Sequence, residues 1–473
     1  MNALVLKTRR IVKPLMFATA MALAASQALA AGEAKNVILF IGDGMGPVTV
    51  TASRIFKYGE AGKLAMDTLP RTARIRTYAL DAQTPDSAPT MAAYMTGVKM
   101  RNEVLSMDGN TLAVRPSPDT TVTPNVGNAV NNCPATGNGA AVPTLLEQAI
   151  AKGKASGIVT TARLTHATPA ATYAHACHRD AEYDISRQAV PGGAGFNTAL
   201  GSGVDVLMGG ISYYWRPFNA TSNTRGRPDG RDLVAELQGK GYTAVSDLAS
   251  FNAAPATSKL IGLFDQALAQ GHMSYELDRD PAKEPSLSQM TTKAIDILSK
   301  NPNGYFLMVE GGRIDHALHG TNAKRALADT IAFDDAIKTA LGKVDLSNTL
   351  VVVTADHDHT MAFNGYSHLG NDILGKTTDV KTKRPVLAAD GKPFTTLVFG
   401  NGLSPRNSAR DDITLVDTSG NKDYTQDVGV PLSSETHGGG DVMLFATGAG
   451  SNVFKGSLDN TKVFGLMRQA FGF

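Results

Sequence analysis

The strongest apolar signal in the chain is the run Lys35–Ile41, which reads as a strand buried on both faces of a sheet. Gly304–Val309 and Thr349–Thr354 read the same way, and shorter strands are predicted at Thr72–Tyr78, Ser156–Thr161, Val204–Met208 and Val442–Phe445. Between them the period lengthens to that of amphipathic helices: Thr49–Tyr58, Ala88–Met95, Val142–Lys154, near 231–240 and 286–300, Asn322–Leu341, and a terminal helix. Thr168-Pro169 has the form of a further helix start, and that helix is predicted to carry His175, His178 and Arg179 near its end. Alternating strands and helices predict an α/β fold around a mostly parallel sheet. Three polar, Gly- and Asn-rich stretches interrupt this pattern. Residues 105–142 read as a long surface excursion, 218–231 as a loop, and 360 to Ser434 as an appended lobe.

Chemistry gathers where the buried runs end. Asp43 follows the first among glycines (Gly42-Asp-Gly-Met-Gly46), Glu310 follows the second, and Asp356 the third. These are the positions at which α/β sheets place their sites. Asp315 and His319 are one helical turn apart, so a helix there puts both on one face. Eight of the ten histidines fall within 166–178, 316–319, 357–359 and at 437; His272 and His368 lie elsewhere. One Asp-His pair is usually structural, but several converging on one sheet edge make a multi-metal site. Imidazole and carboxylate without thiolate suit Zn²⁺, whereas an all-oxygen set such as Asp43, Thr168 and Glu310 suits Mg²⁺. Ser87 falls at the start of the Ala88–Met95 helix, where free N–H groups and the helix dipole favour an anion. By spacing alone, Asp86 and Ser87 read as helix caps and Arg179 as an exposed arginine beside Asp180.

Composition bounds this picture. With 473 residues, 42% hydrophobic and 19% charged, the chain suits one large globular domain or two fused ones. Residues 1–30 read as an export signal: a basic segment with Lys7, Arg9, Arg10 and Lys13, an apolar stretch Leu15–Ala25, and a small-residue cleavage site at Ala28-Leu-Ala30. That stretch is too short to span a bilayer, so no membrane anchor is expected, and the destination is periplasmic or secreted. The signal's four basic residues account for the formal +2, leaving −2 without them and no basic excess to attract nucleic acid. Cys133 and Cys177, the only cysteines, are a candidate disulfide in an oxidising compartment.

Taken in order, Gly42-Asp-Gly-Met-Gly46, Asp86-Ser-Ala88, His166-Ala-Thr168, Arg179, Glu310–His319, Thr354-Ala-Asp-His357 and Glu435-Thr-His-Gly438 resemble the alkaline phosphatase family. The resemblance runs from about Lys35 nearly to the C-terminus. It implies a three-layer α/β sandwich, with a large, mostly parallel central sheet between helices, and a crown-like lobe at about 360–432. It implies a phosphate monoester hydrolase, acting on small monoesters and binding inorganic phosphate, with Ser87 as a nucleophile phosphorylated during turnover. Asp43, Asp356 and His357 would hold one zinc, Asp315, His319 and His437 a second, and Asp43, Thr168 and Glu310 a magnesium. Arg179 would bind phosphate oxygens, and the protein would be a homodimer. Many bacterial members carry Asp where this chain has His166, and some relatives carry Lys at His316, so these two residues beside the ligands bear on magnesium preference and phosphate affinity. A sulfatase, a phosphodiesterase or a catalytically silent metal-binding protein on the same scaffold are the competing readings. Cys133-Pro-Ala-Thr136 does not match the Cys-x-Pro-x-Arg segment that sulfatases need.

Overall fold

Asn36–Gly42 (β1) lies inside the central sheet because it has apolar side chains on both faces, and Val37–Ile41 are fully buried. The computed structural model describes residues 34–257, 259–403 and 410–473; the export signal read at 1–30 lies outside them. The sheet has ten strands. In chain order the others are Arg71–Arg76 (β2), Ala155–Arg163 (β3), Val206–Gly210 (β4), Thr243–Val245 (β5), Leu260–Phe264 (β6), Tyr305–Gly311 (β7), Thr349–Ala355 (β8), Val442–Gly448 (β9) and Gly456–Asp459 (β10). Across the sheet they run β10-β2-β9-β8-β1-β7-β3-β4-β6-β5. All neighbours are parallel except at β9, which is antiparallel to both β8 and β2.

Register delivers the acidic residues to one edge. Gly42 pairs with Ala355 on one side and Gly311 on the other, so Asp43 and Asp356 leave adjacent strands together, and Glu310 lies beside Ile41 and Thr160. The amino end of antiparallel β9 meets the same edge, and His437 precedes it there.

Helices form the outer layers. The Ala323–Lys343 helix packs on the Pro47–Tyr58 and Leu287–Leu298 helices, and its Phe333 meets Phe40 of β1 edge to face at 5.9 Å. The second group joins Ser87–Thr96, Ala167–Tyr173 and Asn460–Phe471. Strands β5 and β6 and the helices Glu182–Gln188 and Leu248–Ala253 were not read from the sequence. The excursion at 105–142 contains a short hairpin, Ser117–Asp119 with Val126–Val130, and its start is anchored by fully buried Leu105 and Ser106. The stretch after 360 builds a separate three-stranded sheet, Met361–Phe363, Leu397–Leu403 and Val428–Leu432, and exposes Tyr366 (93%) and Leu415 (98%).

One expectation is corrected. The helix at Thr168 stops at Tyr173, so His175, His178 and Arg179 follow it rather than ride on it. The reason is tertiary: Ala176 exchanges backbone hydrogen bonds with Leu105 in both directions, and His175 turns a ring nitrogen to the Ser106 carbonyl at 2.7 Å. Pairing with a remote segment outweighs continuing the helix by one turn.

Candidate active site

Asp86 is the N-cap of the Ser87–Thr96 helix, its Oδ1 accepting from Ala88 N at 2.7 Å, and Ser87 is the first helical residue. Both residues lie over the carboxyl edge of the sheet. Ser87 Oγ is 3.1 Å from His357 Nε2 and 3.5 Å from Asp43 Oδ1. Gly44 turns the chain after β1 with φ of 66°, and a Cβ on it would collide with the His359 ring. Four carboxylates, Asp43, Glu310, Asp315 and Asp356, are buried together here.

Burial and mutual repulsion make this an expensive arrangement without a cation. Desolvation, with the charges of Asp315 and Glu310, pushes Asp43 well above the usual carboxylate range. Burial and the neighbouring Asp43 raise Asp356 to about 7. Burial, reinforced by Asp356, lifts Glu310 to about 7, although Thr160 Oγ1 donates to it. Asp315 goes the other way: burial would raise it, but the His319, His359 and His437 rings around it hold it well below. Asp356 Oδ2 and Glu310 Oε1 are buried with no hydrogen-bond partner. Orphaned acceptors among crowded buried carboxylates are what a resident metal would satisfy, so the donor set fits divalent cations.

The imidazoles complete the sets. His319 turns Nδ1 to the Glu435 carbonyl (2.6 Å), His437 to the Pro85 carbonyl (2.7 Å) and His357 to the Asp358 carbonyl (3.2 Å). A carbonyl only accepts, so each Nδ1 carries a proton and each Nε2 is the atom turned to the centre, where it would give a lone pair to a metal. Asp315 Oδ1 lies 3.3 Å from His319 Nε2 and 3.5 Å from His437 Nε2. His357 Nε2 lies 3.3 Å from Asp43 Oδ1 and 3.4 Å from Asp356 Oδ2. Asp43, His166 and Glu310 form a third group of converging ligand atoms, with Thr168 Oγ1 3.5 Å from Asp43 Oδ2.

His359 was not singled out from the sequence. It donates Nε2–H to Asp315 Oδ1 (2.8 Å) and Nδ1–H to Glu435 Oε2 (2.6 Å). Burial would depress its pKa, but the two carboxylates hold it at about 10, so both nitrogens keep their protons. It clamps Asp315 rather than offering a lone pair. The Asp358-His359 strand, paired with His437-Gly438, was the available signal.

Arg179 is not an exposed surface arginine: its side chain is mostly buried, Nη1 donates to Asp86 Oδ1 (3.1 Å), and Nη2 to His166 Nε2 (3.0 Å). His166 occupies the N-cap position of Ala167–Tyr173 but makes no side-chain cap. Arg313 donates to His316 Nδ1 at 3.2 Å. Cys133 and Cys177 are bridged, tying the excursion to the chain two residues before Arg179. For cysteines 44 residues apart, the chain-entropy model sets this constraint at about 4 kcal/mol.

A serine at a helix N-terminus, facing metal-ligand sets at the switch point of a parallel sheet, defines a metal-dependent hydrolase of the α/β class. Residues 34–473 match the family model described as alkaline phosphatase. The chain is 39% identical to an alkaline phosphatase of Gadus morhua, covering 91% of this chain and 90% of that one. It is 38% identical to the tissue-nonspecific isozyme of Homo sapiens, over 91% and 82%. Among solved structures, the Thermus thermophilus alkaline phosphatase aligns with TM-score 0.66 at 24% identity, covering 94% of this chain and 93% of that one. That of the Antarctic bacterium TAB5 aligns with TM-score 0.60 at 23%, covering 93% and 98%. The chain belongs to the alkaline phosphatase family, and is a phosphomonoesterase.

Proposed function

We propose that the protein hydrolyses small phosphate monoesters through a phosphoserine at Ser87. Asp43, Asp356 and His357 would hold one zinc, Asp315, His319 and His437 a second, and Asp43, Thr168 and Glu310 a magnesium. Bound there, the metals would supply Lewis acidity, favouring the alkoxide of Ser87 and a hydroxide from water. The chain does the rest. The Ser87 helix turns its positive dipole end and the Ser87 N–H to the phosphate, since the Ala88 N–H is taken by Asp86 and Pro89 has none, and Arg179, oriented by Asp86 and His166, adds a planar fork for its oxygens. Inorganic phosphate, carrying the same oxygens, should bind in the same place and inhibit. A TAB5 alkaline phosphatase variant with a histidine replaced by Glu has been solved with magnesium in its M3 site; the assignment of magnesium here rests on the oxygen-rich donor set itself.

The observation that carries this reading is the convergence of three carbonyl-backed Nε2 atoms on Asp43, Asp315 and Asp356, with Ser87 Oγ 3.1 Å from one of them. To test it, the enzyme is quenched in acid with labelled phosphate. The label should reside on Ser87, and Ser87→Ala should fold, bind metal and carry none. Label elsewhere, or full activity in the alanine variant, would end the assignment. Rates with p-nitrophenyl phosphate, its bis ester and its sulfate separate the phosphodiesterase, sulfatase and silent-scaffold readings; the commitment of Cys133 to a disulfide already disfavours a sulfatase.

The exposed apolar side chains of the 360–432 lobe, Tyr366, Leu369 and Leu415 among them, support a crown-like lobe in a homodimer, which light scattering would weigh directly. Export with cleavage near Ala30 is checked by the N-terminal sequence of the mature protein. No helix among the described residues is long and apolar enough to cross a membrane.

A further inference from the structure

His272 lies outside every motif that pointed to the site, yet the fold brings it there. Its ring centroid is 3.9 Å from that of His316 and 5.5 Å from that of His166, and the latter two are 5.3 Å apart. Each ring faces its own arginine: Arg179 donates to His166 Nε2 (3.0 Å), Arg163 Nη1 to His272 Nε2 (2.9 Å) and Arg313 Nη1 to His316 Nδ1 (3.2 Å). A guanidinium has no lone pair to offer, so each of these ring nitrogens must accept. The ring protons therefore sit on Nδ1 of His166, Nδ1 of His272 and Nε2 of His316.

The anchor is rigid. Arg163 is forked onto Glu182 through Nε (2.6 Å) and Nη2 (2.9 Å), and Thr165 also donates to Glu182 at 2.6 Å. The His272 backbone is pressed onto β4: a Cβ on Gly210 would fall 2.7 Å from the His272 carbonyl carbon. The adjoining Met273 N donates to Thr161 O of β3 at 3.1 Å. The ring thus has one place to go, between an immobilised guanidinium and the His316 face. His166, next in the cluster, shares the Arg179 guanidinium with Asp86.

We propose that His272 is a positioning residue for phosphate binding, bracing His316 and His166 so that the Arg179 fork is held ready for the phosphate oxygens. This rests on the assignment of Arg179 as the phosphate clamp. His272 touches neither substrate nor nucleophile, so its loss should act on phosphate affinity more than on turnover.

Two variants divide its contributions. His272→Phe keeps the ring but removes the acceptor for Arg163, and His272→Gln restores an acceptor without the ring. In the metal-loaded enzyme, His272→Phe should raise KM for p-nitrophenyl phosphate and the inhibition constant of inorganic phosphate together, roughly 3- to 10-fold, the worth of one net hydrogen bond. kcat should move less, zinc content should not change, and His272→Gln should recover part of the loss. Wild-type phosphate inhibition in the Phe variant would overturn the role. Should that variant fail to fold, long-range ¹⁵N–¹H correlation of the wild-type histidines decides. His272 protonated at Nδ1 and bare at Nε2 is the expected result, and a proton on Nε2 overturns the proposal. The tautomer measurement needs no turnover, so its outcome is separate from that of the Ser87 labelling.

Discussion

Two groups of histidines stand side by side at this sheet edge and do opposite things. His319, His357 and His437 rest their Nδ1 on backbone carbonyls and turn their Nε2 atoms to the buried carboxylates. His166, His272 and His316 rest one nitrogen on an arginine, which uses up a lone pair. The side chains are identical and all six lie within one site; what differs is the group behind each ring. A carbonyl behind fixes the proton on Nδ1 and turns Nε2 forward, a guanidinium behind makes the ring a neutral wall, and a carboxylate hydrogen-bonded to the ring, as at His359 and at His175 (whose Nδ1 also rests on the Ser106 carbonyl), makes it a cation.

The sharpest way to break this contrast is to delete one ring on each side. His437→Ala should strip zinc and lower kcat by more than the 10- to 100-fold that loss of an outer-shell partner costs, whereas His316→Ala should leave zinc content intact. Metal analysis beside a p-nitrophenyl phosphate assay reads both; equal zinc loss in the two variants would erase the distinction.

Arg179→Ala comes next. Losing one charge-assisted contact should weaken substrate and inorganic phosphate alike, by roughly 1.5–3 kcal/mol. It should also free His166 Nε2, turning a wall into a ligand, so zinc should compete better for the third site. Unchanged phosphate inhibition would place Arg179 outside the phosphate site.

His166→Asp sharpens the comparison from the other direction. A neutral imidazole attracts a hard cation less than a carboxylate does. Magnesium should therefore bind weakly in this enzyme and activate it when added, and excess zinc should inhibit. The aspartate should lower the midpoint of Mg²⁺ activation by about tenfold. Coinciding activation curves for the two forms would show that this position does not tune the metal.

The smallest effect concerns the carboxylate-backed kind. Burial would lower the His175 pKa, but Glu147, bonded to its Nε2 at 2.7 Å, raises it above 6.5; burial would raise Glu147, but His175 holds it below 4.5. The histidine's contribution is complete below pH 6.5 and fades as pH rises through its raised value. The glutamate's is complete above pH 4.5 and fades as pH falls through its lowered value. The pair is therefore worth most between those limits. His175→Gln should cost about 1 kcal/mol near pH 6 and progressively less on the alkaline side, in denaturant melts across pH. A cost independent of pH would mean that the pair is not ionised.

Local pattern alone determined the frame. Unbroken apolar runs of strand length read as strands covered on both faces, and they marked β1, β7 and β8 together with the acids that close them. The four-residue spacing of Asp315 and His319 and the position of Ser87 at a helix start were equally local, and both stand in the structure. What the tertiary structure decided is the chemical state of each ring, because the group behind it comes from far along the chain. Pro85 backs His437 across 352 positions, Glu435 backs His319 across 116, and Arg163 backs His272 across 109. The same holds for the helix that stops at Tyr173, cut short by Leu105. Spacing carries what neighbours in sequence impose on each other; a tautomer is imposed by neighbours in space.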